Sequence, residues 1–329
     1  MAQPNQPFGG TPSRREFVAL GVGALVVAAV PFTRRRRIIA QRTIPVMGTI
    51  ADFAVAHPDR RYAQAAIDAA IARLRQVDLV MSRFKGGSDV GRANSAAGDE
   101  AVLITSETAG VLRAALAWAE TTGGVFDPCL GTAIELWDVE HRHVPPPEAQ
   151  VRHLAHRNMY RALDVDRWHG HPAASLSQRE ARIDLGGIAK GFGVDQAVAT
   201  LREWGIQNAL VNAGGDLYAM GRSEDGNPWR VGVRSPDRVD RLVAEFDLED
   251  AAIATSGDYL QYFEYHGHRY HHLLDPETAA PRVTAMRSIT LKAADCTTAD
   301  AAATACFGRP RAITDSWTAR HSAQIIHSV

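Results

Sequence analysis

The chain predicts an α+β fold, a single globular domain of mixed, largely antiparallel sheets with flanking helices. Three observations lead there. Helical and strand-like segments are interleaved without a regular βαβ alternation. Short hairpin signals recur, as at His266-Gly267. No internal repeat or interdomain linker interrupts the 329 residues, and the 46% hydrophobic content suits a substantial core. A formal net charge of -1 supplies no overall basic field to recruit nucleic acid. The three cysteines, Cys129, Cys296 and Cys306, show no C-x-x-C spacing, which argues against a disulfide framework or a cysteine zinc site.

Residues 1–40 read as a segment apart from the fold. T-P-S-R-R-E-F-V at 11–18 precedes an uncharged apolar run, 18–30, too short for a comfortable membrane span. Paired arginines before a short apolar stretch resemble a twin-arginine export signal, with small residues at Ala28-Ala29 for cleavage and a basic linker at Arg34–Arg37. An uncleaved amino-terminal anchor is the alternative. Either way residues 41–329 are expected to work outside the cytoplasm, in a periplasmic or similar compartment, and membrane proximity is compatible with both.

In chain order, residues 43–54 read as a strand pair or bent strand centred on Met47-Gly48. Residues 61–81 form a helix, with Ile67, Ile71, Leu74, Val77 and Met81 at helical spacing. Turn chemistry fills 82–94, and a second helix over 106–121 stops at Gly123-Gly124. The histidines of 141–161 match no standard metal-ligand spacing, so that run reads as solvated surface with a helix from Pro145 to Leu154. A strand is expected over 176–185, then a glycine corner and a helix to Trp204 closed by Gly205. Residues 208–221 read as a strand broken by a bulge at Gly214-Gly215. Strands follow at 229–234 and 242–248, a turn at 252–258, and a hairpin over 259–274. A strand at 288–292 and a helix at 298–307 lead into a short polar tail.

Chemistry concentrates in three places. Residues 181–199, A-R-I-D-L-G-G-I-A-K-G-F-G-V-D-Q-A-V-A, carry Gly186, Gly187, Gly191 and Gly193 around Lys190. Such a turn aims free N–H groups at an anion, with Asp184 as an acceptor and Lys190 as a point charge for a phosphate. Neither the Walker spacing nor G-x-G-x-x-G is present, so a ligand-free strand-to-helix turn stands beside the phosphate reading. Late in the chain, D-C-T-T-A-D-A-A-A-T-A at 295–305 places Asp300 and Thr304 on one helix face. Together with a carbonyl from the glycine turn they would make a hard oxygen site suited to magnesium. The other reading is a helix cap with Thr297 as N-cap and Asp300 completing a capping box. Finally, His271 and His272 should point to opposite faces of their hairpin. One could serve as a base beside a phosphate site; a solvent-facing pair is the alternative.

In this order the segments resemble the ApbE family, the FAD:protein FMN transferases. The matching blocks are M-G-T at 47–49, M-S-R-F at 81–84, F-D-P-C-L-G at 126–131, I-D-L-G-G-I-A-K-G at 183–191 and V-N-A-G-G-D at 211–216. A-T-S-G-D-Y at 254–259, R-Y-H-H-L-L-D-P at 269–276 and T-T-A-D-A-A-A-T at 297–304 complete them. The resemblance implies an FAD cleft between lobes and transfer of the FMN half of FAD onto a threonine or serine hydroxyl of an acceptor flavoprotein, with release of AMP. It implies Mg2+ held by the Gly187 carbonyl, Asp300 and Thr304. FAD contacts would come from Met47, Phe84, Val125, Phe126, Asp127, Asp184, Lys190 and Leu274. His272 would be the general base, with Asp300 the other catalytic residue and Asp258 helping to shape the site. Cys129 and Cys296 stand where the family often has small residues and read as packing substitutions. His271 replaces a common serine, and the tail after Phe307 is shorter and more polar than a family helix and strand would be. Two other functions share these residues: an FAD pyrophosphatase with water as attacker, and a flavin-binding or delivery protein without turnover.

Overall fold

The computed structural model describes residues 25–27, 38–238 and 240–329. Arg14, Arg15, Ala28-Ala29 and most of the apolar run read as an export signal lie outside the described residues. Strand β1, Leu25–Val27, pairs antiparallel with a later strand, and β2 begins at Ile38.

The amino-terminal half supplies β2 (Ile38–Val46), β3 (Thr49–His57), α1 (Arg60–Met81), α2 (Asp89–Ser95), β4 (Val102–Leu103), α3 (Ser106–Thr122), α4 (Gly131–Trp137) and α5 (Glu148–Leu154). A small sheet follows in β5 (Leu163–Trp168) and β6 (His171–Leu176), which pairs with β4. Next come α6 (Ala189–Glu203), β7 (Ala209–Ala213), β8 (Asp216–Met220), β9 (Trp229–Arg234), β10 (Leu242–Leu248) and β11 (Ala251–Gly257). Hairpin β12 (Tyr262–Tyr265) and β13 (His268–His271) leads to the short β14 (Leu274–Asp275) and β15 (Ala280–Pro281). The chain ends in β16 (Ser288–Ala293), α7 (Cys296–Cys306), α8 (Arg311–Arg320) and β17 (Gln324–Ser328).

The frame is a seven-stranded sheet in the order β17-β16-β11-β8-β7-β3-β2, antiparallel throughout. Its strands alternate between two apolar faces, as a period of two demands. Ala51, Phe53, Val55, Val211, Tyr218 and Ala254 face a large core shared with the helices. Ala54, Leu210, Leu217, Ala219 and Ile253 face a smaller core closed by Trp229, Val231 and Val233 of β9. Helix α1 buries Ile67, Ile71, Leu74 and Val77, the stripe expected from its spacing. Helix α7 buries alanines on several sides, so its backbone can approach both α6 and the sheet closely.

Several expectations are corrected. Strand β6 ends at Leu176 and residues 177–188 are loop, because their backbone bonds go to the 128–131 segment instead of a ladder: Asp184 N–H donates to Pro128 O at 2.8 Å and Gly131 N–H to Arg182 O at 2.9 Å. Gly214-Gly215 is a two-residue hairpin turn with φ of 63° and 101°, not a bulge within one strand. Residues 251–257 are a strand in mid-sheet, where the apolar run Ala-Ala-Ile-Ala outweighs the downstream turn residues. The carboxyl tail folds as helix and strand after all. Trp317 is buried, His321 stacks on Trp118 at 3.9 Å, and β17 completes the sheet edge against β16. Met47-Gly48 joins β2 and β3 as a tight turn with φ of 53° and 68°.

Candidate functional site

Helix α6 begins where the glycine corner ends. Its N-cap position, Ile188, offers no side-chain cap, so the first N–H groups must find partners elsewhere. One partner comes from α7: Gly191 N–H donates to Asp300 Oδ2 at 3.0 Å. The approach is close enough that a Cβ on Gly191 would lie 2.2 Å from Cys296 O, so only glycine fits.

The capping reading of Asp300 is corrected. The N-cap of α7 is Asp295, which accepts from Thr298 N–H at 2.7 Å. Asp195, nearly two turns into α6, accepts from Cys296 N–H and Thr297 N–H, both at 2.8 Å, and from the Thr297 hydroxyl. Two carboxylates thus satisfy the helix start, and Thr297 lies inside the helix. Asp300, buried, is left to face the glycine corner.

There it meets Lys190 and Asp216. Lys190 Nζ lies 2.8 Å from Asp216 Oδ2, 3.2 and 3.3 Å from the two Asp300 oxygens, and 3.1 Å from Gly186 O. Asp216 opens β8 on the face shared with Tyr218 and Met220, the helix side of the sheet. Burial works against the charge on Lys190, but the two carboxyl groups outweigh it and hold its pKa above the ordinary lysine value. Burial and then repulsion from Asp300 push Asp216 well above the carboxylate range, against the pull of Lys190. Two buried carboxyl groups thus share one ammonium.

Gly187 and Thr304 close the same corner. A Cβ on Gly187 would lie 3.0 Å from Thr304 Oγ1 and 3.2 Å from Phe126 Cε2, so the turn backbone runs against both side chains. Gly187, Asp300 and Thr304, far apart in sequence, are therefore neighbours. Among the described residues no three histidine, cysteine, aspartate or glutamate side chains gather as a metal-holding group. A cation here would rest on carboxylate, hydroxyl and backbone oxygens, the donor set that suits magnesium. The cradle fits such an ion: oxygens already surround the Lys190 ammonium.

The two histidines diverge as their hairpin predicts. His271 is buried; its Nδ1 accepts from Leu273 N–H at 3.2 Å, so Nε2 carries the hydrogen and donates to Arg282 O at 3.0 Å. It is a packing residue, edge-on to Phe307. His272 Nδ1 lies 3.3 Å from Gln261 O, a contact that needs the hydrogen on Nδ1 and leaves the Nε2 lone pair free. Desolvation, helped by His271 and Lys190, lowers its pKa to about 4, so it is neutral near pH 7. Asp258 is tied into ion pairs with Arg287 at 2.9 Å and Arg269 at 3.5 Å, which makes it a brace for the 251–288 region and not a lining group.

The remaining expected contacts lie at different depths, and Phe84 and Val125 line cavities that do not include Gly187, Lys190, Asp300 or Thr304. Met47 packs over Gly193, where a Cβ would lie 3.0 Å from its Sδ. Asp184 accepts from Gly186 N–H at 2.8 Å and pairs with Arg83 Nε at 2.5 Å. Phe84 is 82% exposed, stacked under the Arg83 guanidinium at 4.1 Å, and lines a cavity of about 320 Å³ with Arg83, Asn94, Glu135 and Arg182. Val125 borders a second cavity, of about 270 Å³. Asp127 accepts from Cys129 N–H and Tyr160 N–H, and burial pushes its pKa up to about 6. Leu274 is buried, its carbonyl held by Arg282.

Sequence reading passed over Asp216, Arg83 and Arg282. The first two stand inside quoted motif blocks, and the alternation of β8 could have assigned Asp216 to the helix face. Arg282 carried no local signal: its guanidinium binds the carbonyls of Val125, Leu274, Thr304, Ala305 and Phe307, all distant in sequence except Leu274.

A family model described as the ApbE family matches residues 47–326. An FAD:protein FMN transferase of Treponema pallidum is 34% identical over 257 residues, covering 74% of this chain and 71% of that protein. One from Vibrio cholerae is 33% identical over 232 residues, covering 70% and 69%. Among solved structures, the ApbE protein of Thermotoga maritima superposes with a TM-score of 0.79 at 30% identity, covering 88% of this chain and 93% of that one. The flavin transferase ApbE from Vibrio cholerae gives 0.74 at 27% identity, with the same coverage.

Proposed function

The chain belongs to the ApbE family and transfers the flavin of FAD onto a target protein, and we propose that it does so at the corner formed by Gly186–Gly191 of the loop-helix junction and Asp300–Thr304 of α7. The observation that supports this place is the convergence of Gly187, Asp300 and Thr304 beside the Lys190 ammonium. Gly187, Asp300 and Thr304 would hold Mg2+, which when bound supplies charge neutralisation to the pyrophosphate.

The chain's own residues do the rest. His272, neutral and with Nε2 free, takes the proton from the threonine or serine hydroxyl of the acceptor. That oxygen bonds to the phosphorus on the FMN side of FAD as the bond to the AMP phosphate breaks, and AMP leaves with the electron pair. Lys190 can present its charge to a phosphate, while Phe84 and Arg83 offer a stacking surface to one of the ring systems. Met47, Val125, Phe126, Asp127, Asp184 and Leu274 shape the walls around FAD.

Purified protein incubated with FAD, Mg2+ and a flavoprotein bearing an exposed threonine should yield a fluorescent acceptor band and one AMP per flavin attached. AMP released at the same rate without acceptor would favour hydrolysis instead. The paired Arg14-Arg15 and the apolar run support export by the twin-arginine route to act on extracytoplasmic, including membrane-bound, acceptors. Replacing both arginines by lysine should leave the protein in the cytoplasm, and unchanged export would refute that assignment.

A further inference from the structure

We propose that Lys190 is a built-in competitor for the divalent cation: its ammonium binds Asp300 in the cation's stead, and Asp216 is the seat on which it remains when Asp300 is given up. The inference rests on the metal reading above and adds to it a positioning residue, Asp216, and an exchange.

The contacts are asymmetric. Lys190 Nζ makes one short contact to Asp216 Oδ2, 2.8 Å, and straddles the two Asp300 oxygens at 3.2 and 3.3 Å. Lys190 donates hydrogen bonds to Gly186 O and to Asp300, while its close contact with Asp216 Oδ2 is an ion pair outside hydrogen-bond geometry, an oxygen left ready to take an ammonium donor. The Asp300 contact is the loosest of the three, and the flexible lysine stem lets Nζ retreat while Asp216 keeps hold of it. Asp300 does not depend on Lys190 for its place, since Gly191 N–H anchors Oδ2 at 3.0 Å. The carboxylate therefore stays aimed at the corner when the ammonium withdraws.

Charge favours the exchange. Asp216 and Asp300 are each 2% exposed and share one ammonium. A divalent ion on Asp300, with Lys190 kept on Asp216, gives each buried carboxyl group a cation of its own and leaves one ammonium donor for an anionic neighbour. While Lys190 occupies Asp300, the ion must displace it, so wild-type affinity is lower than the oxygens alone would give.

The test is Mn2+ titration without FAD, with free Mn2+ read by electron paramagnetic resonance, together with melting curves with and without Mg2+. Lys190→Met should bind Mn2+ on the order of tenfold more tightly than wild type. It should also melt lower without metal and gain more from Mg2+. Asp216→Asn, which removes the alternative seat and leaves the ammonium on Asp300, should bind more weakly than wild type. It serves as the deciding variant should Lys190→Met not fold. Wild type binding through Asp300, shown by loss in Asp300→Asn, with Lys190→Met no tighter or Asp216→Asn no weaker, overturns the exchange alone. No Mn2+ binding by wild type, or binding untouched by Asp300→Asn, overturns the metal reading and the exchange with it.

Discussion

Replacing Arg282 by methionine isolates the group that ties the site's segments together. Its Nε donates to Leu274 O at 3.1 Å, one terminal nitrogen to Thr304 O at 2.8 Å, Ala305 O at 3.3 Å and Phe307 O at 2.7 Å, and the other to Val125 O at 2.9 Å. Thr304, Ala305 and Phe307 close α7, where carbonyls lack helical partners and a positive charge is favoured. Burial lowers the Arg282 pKa to about 10, so the group stays charged at neutral pH. Methionine preserves much of the stem packing and removes every one of these bonds. A charged hydrogen bond contributes about 1.5–3 kcal/mol net, offset in part by the desolvation that arginine no longer suffers. The expected loss is about 3–5 kcal/mol, or roughly 6–20 °C in melting temperature for a domain of this size. Lysine lacks the planar fork and can reach only some of the carbonyls, so Arg282→Lys should fall between. Denaturant and thermal unfolding of both variants measure this. A methionine variant within about 1 kcal/mol of wild type would refute the reasoning.

Two further predictions concern the corner itself. With the His272 pKa lowered to about 4, transfer should keep most of its neutral-base rate at pH 5.5, where an ordinary histidine would keep about 9%. A pH-rate profile falling through about 6.5 would remove His272 from the role. The same depression means that its contribution to stability is present above the ordinary histidine pKa and is lost as pH falls through about 4. Gly191→Ala would place a Cβ 2.2 Å from Cys296 O and 2.9 Å from the Asp300 Cβ, so it should separate α6 from α7 and abolish the Mg2+-dependent rise in melting temperature. Gly87→Ala, with open space at its Cβ, is the control that should change neither. An intact Mg2+ response in Gly191→Ala would contradict the close packing.

Legibility in the sequence followed the range of the interactions. Helices α1 and α3 were readable because local periodicity and the Gly123 stop carry them. The His266-Gly267 turn was readable because positive φ selects its residues. Strand β11 was misread, since its place in mid-sheet is fixed by β8 and β16 and not by its own turn-like end. The loop 177–188 reads as strand from composition, yet its partners are Pro128, Cys129 and Asn94, which no local pattern discloses. At the site, Asp300 and Thr304 were legible as one helix face. Capping is taken by Asp295, which stands in the same stretch and was legible there, together with Asp195, about a hundred residues earlier, which no local window contains. Asp216 and Arg282 act through the same kind of long-range closure.

Intact-mass analysis of the acceptor in a single turnover tests the central claim most directly. Wild type with FAD and Mg2+ should add the mass of FMN less one water to the acceptor, at one threonine or serine, and release AMP. Asp300→Asn, folded and still binding FAD, should add none. An acceptor flavinylated at the wild-type rate by Asp300→Asn would place the chemistry somewhere other than the corner between α6 and α7.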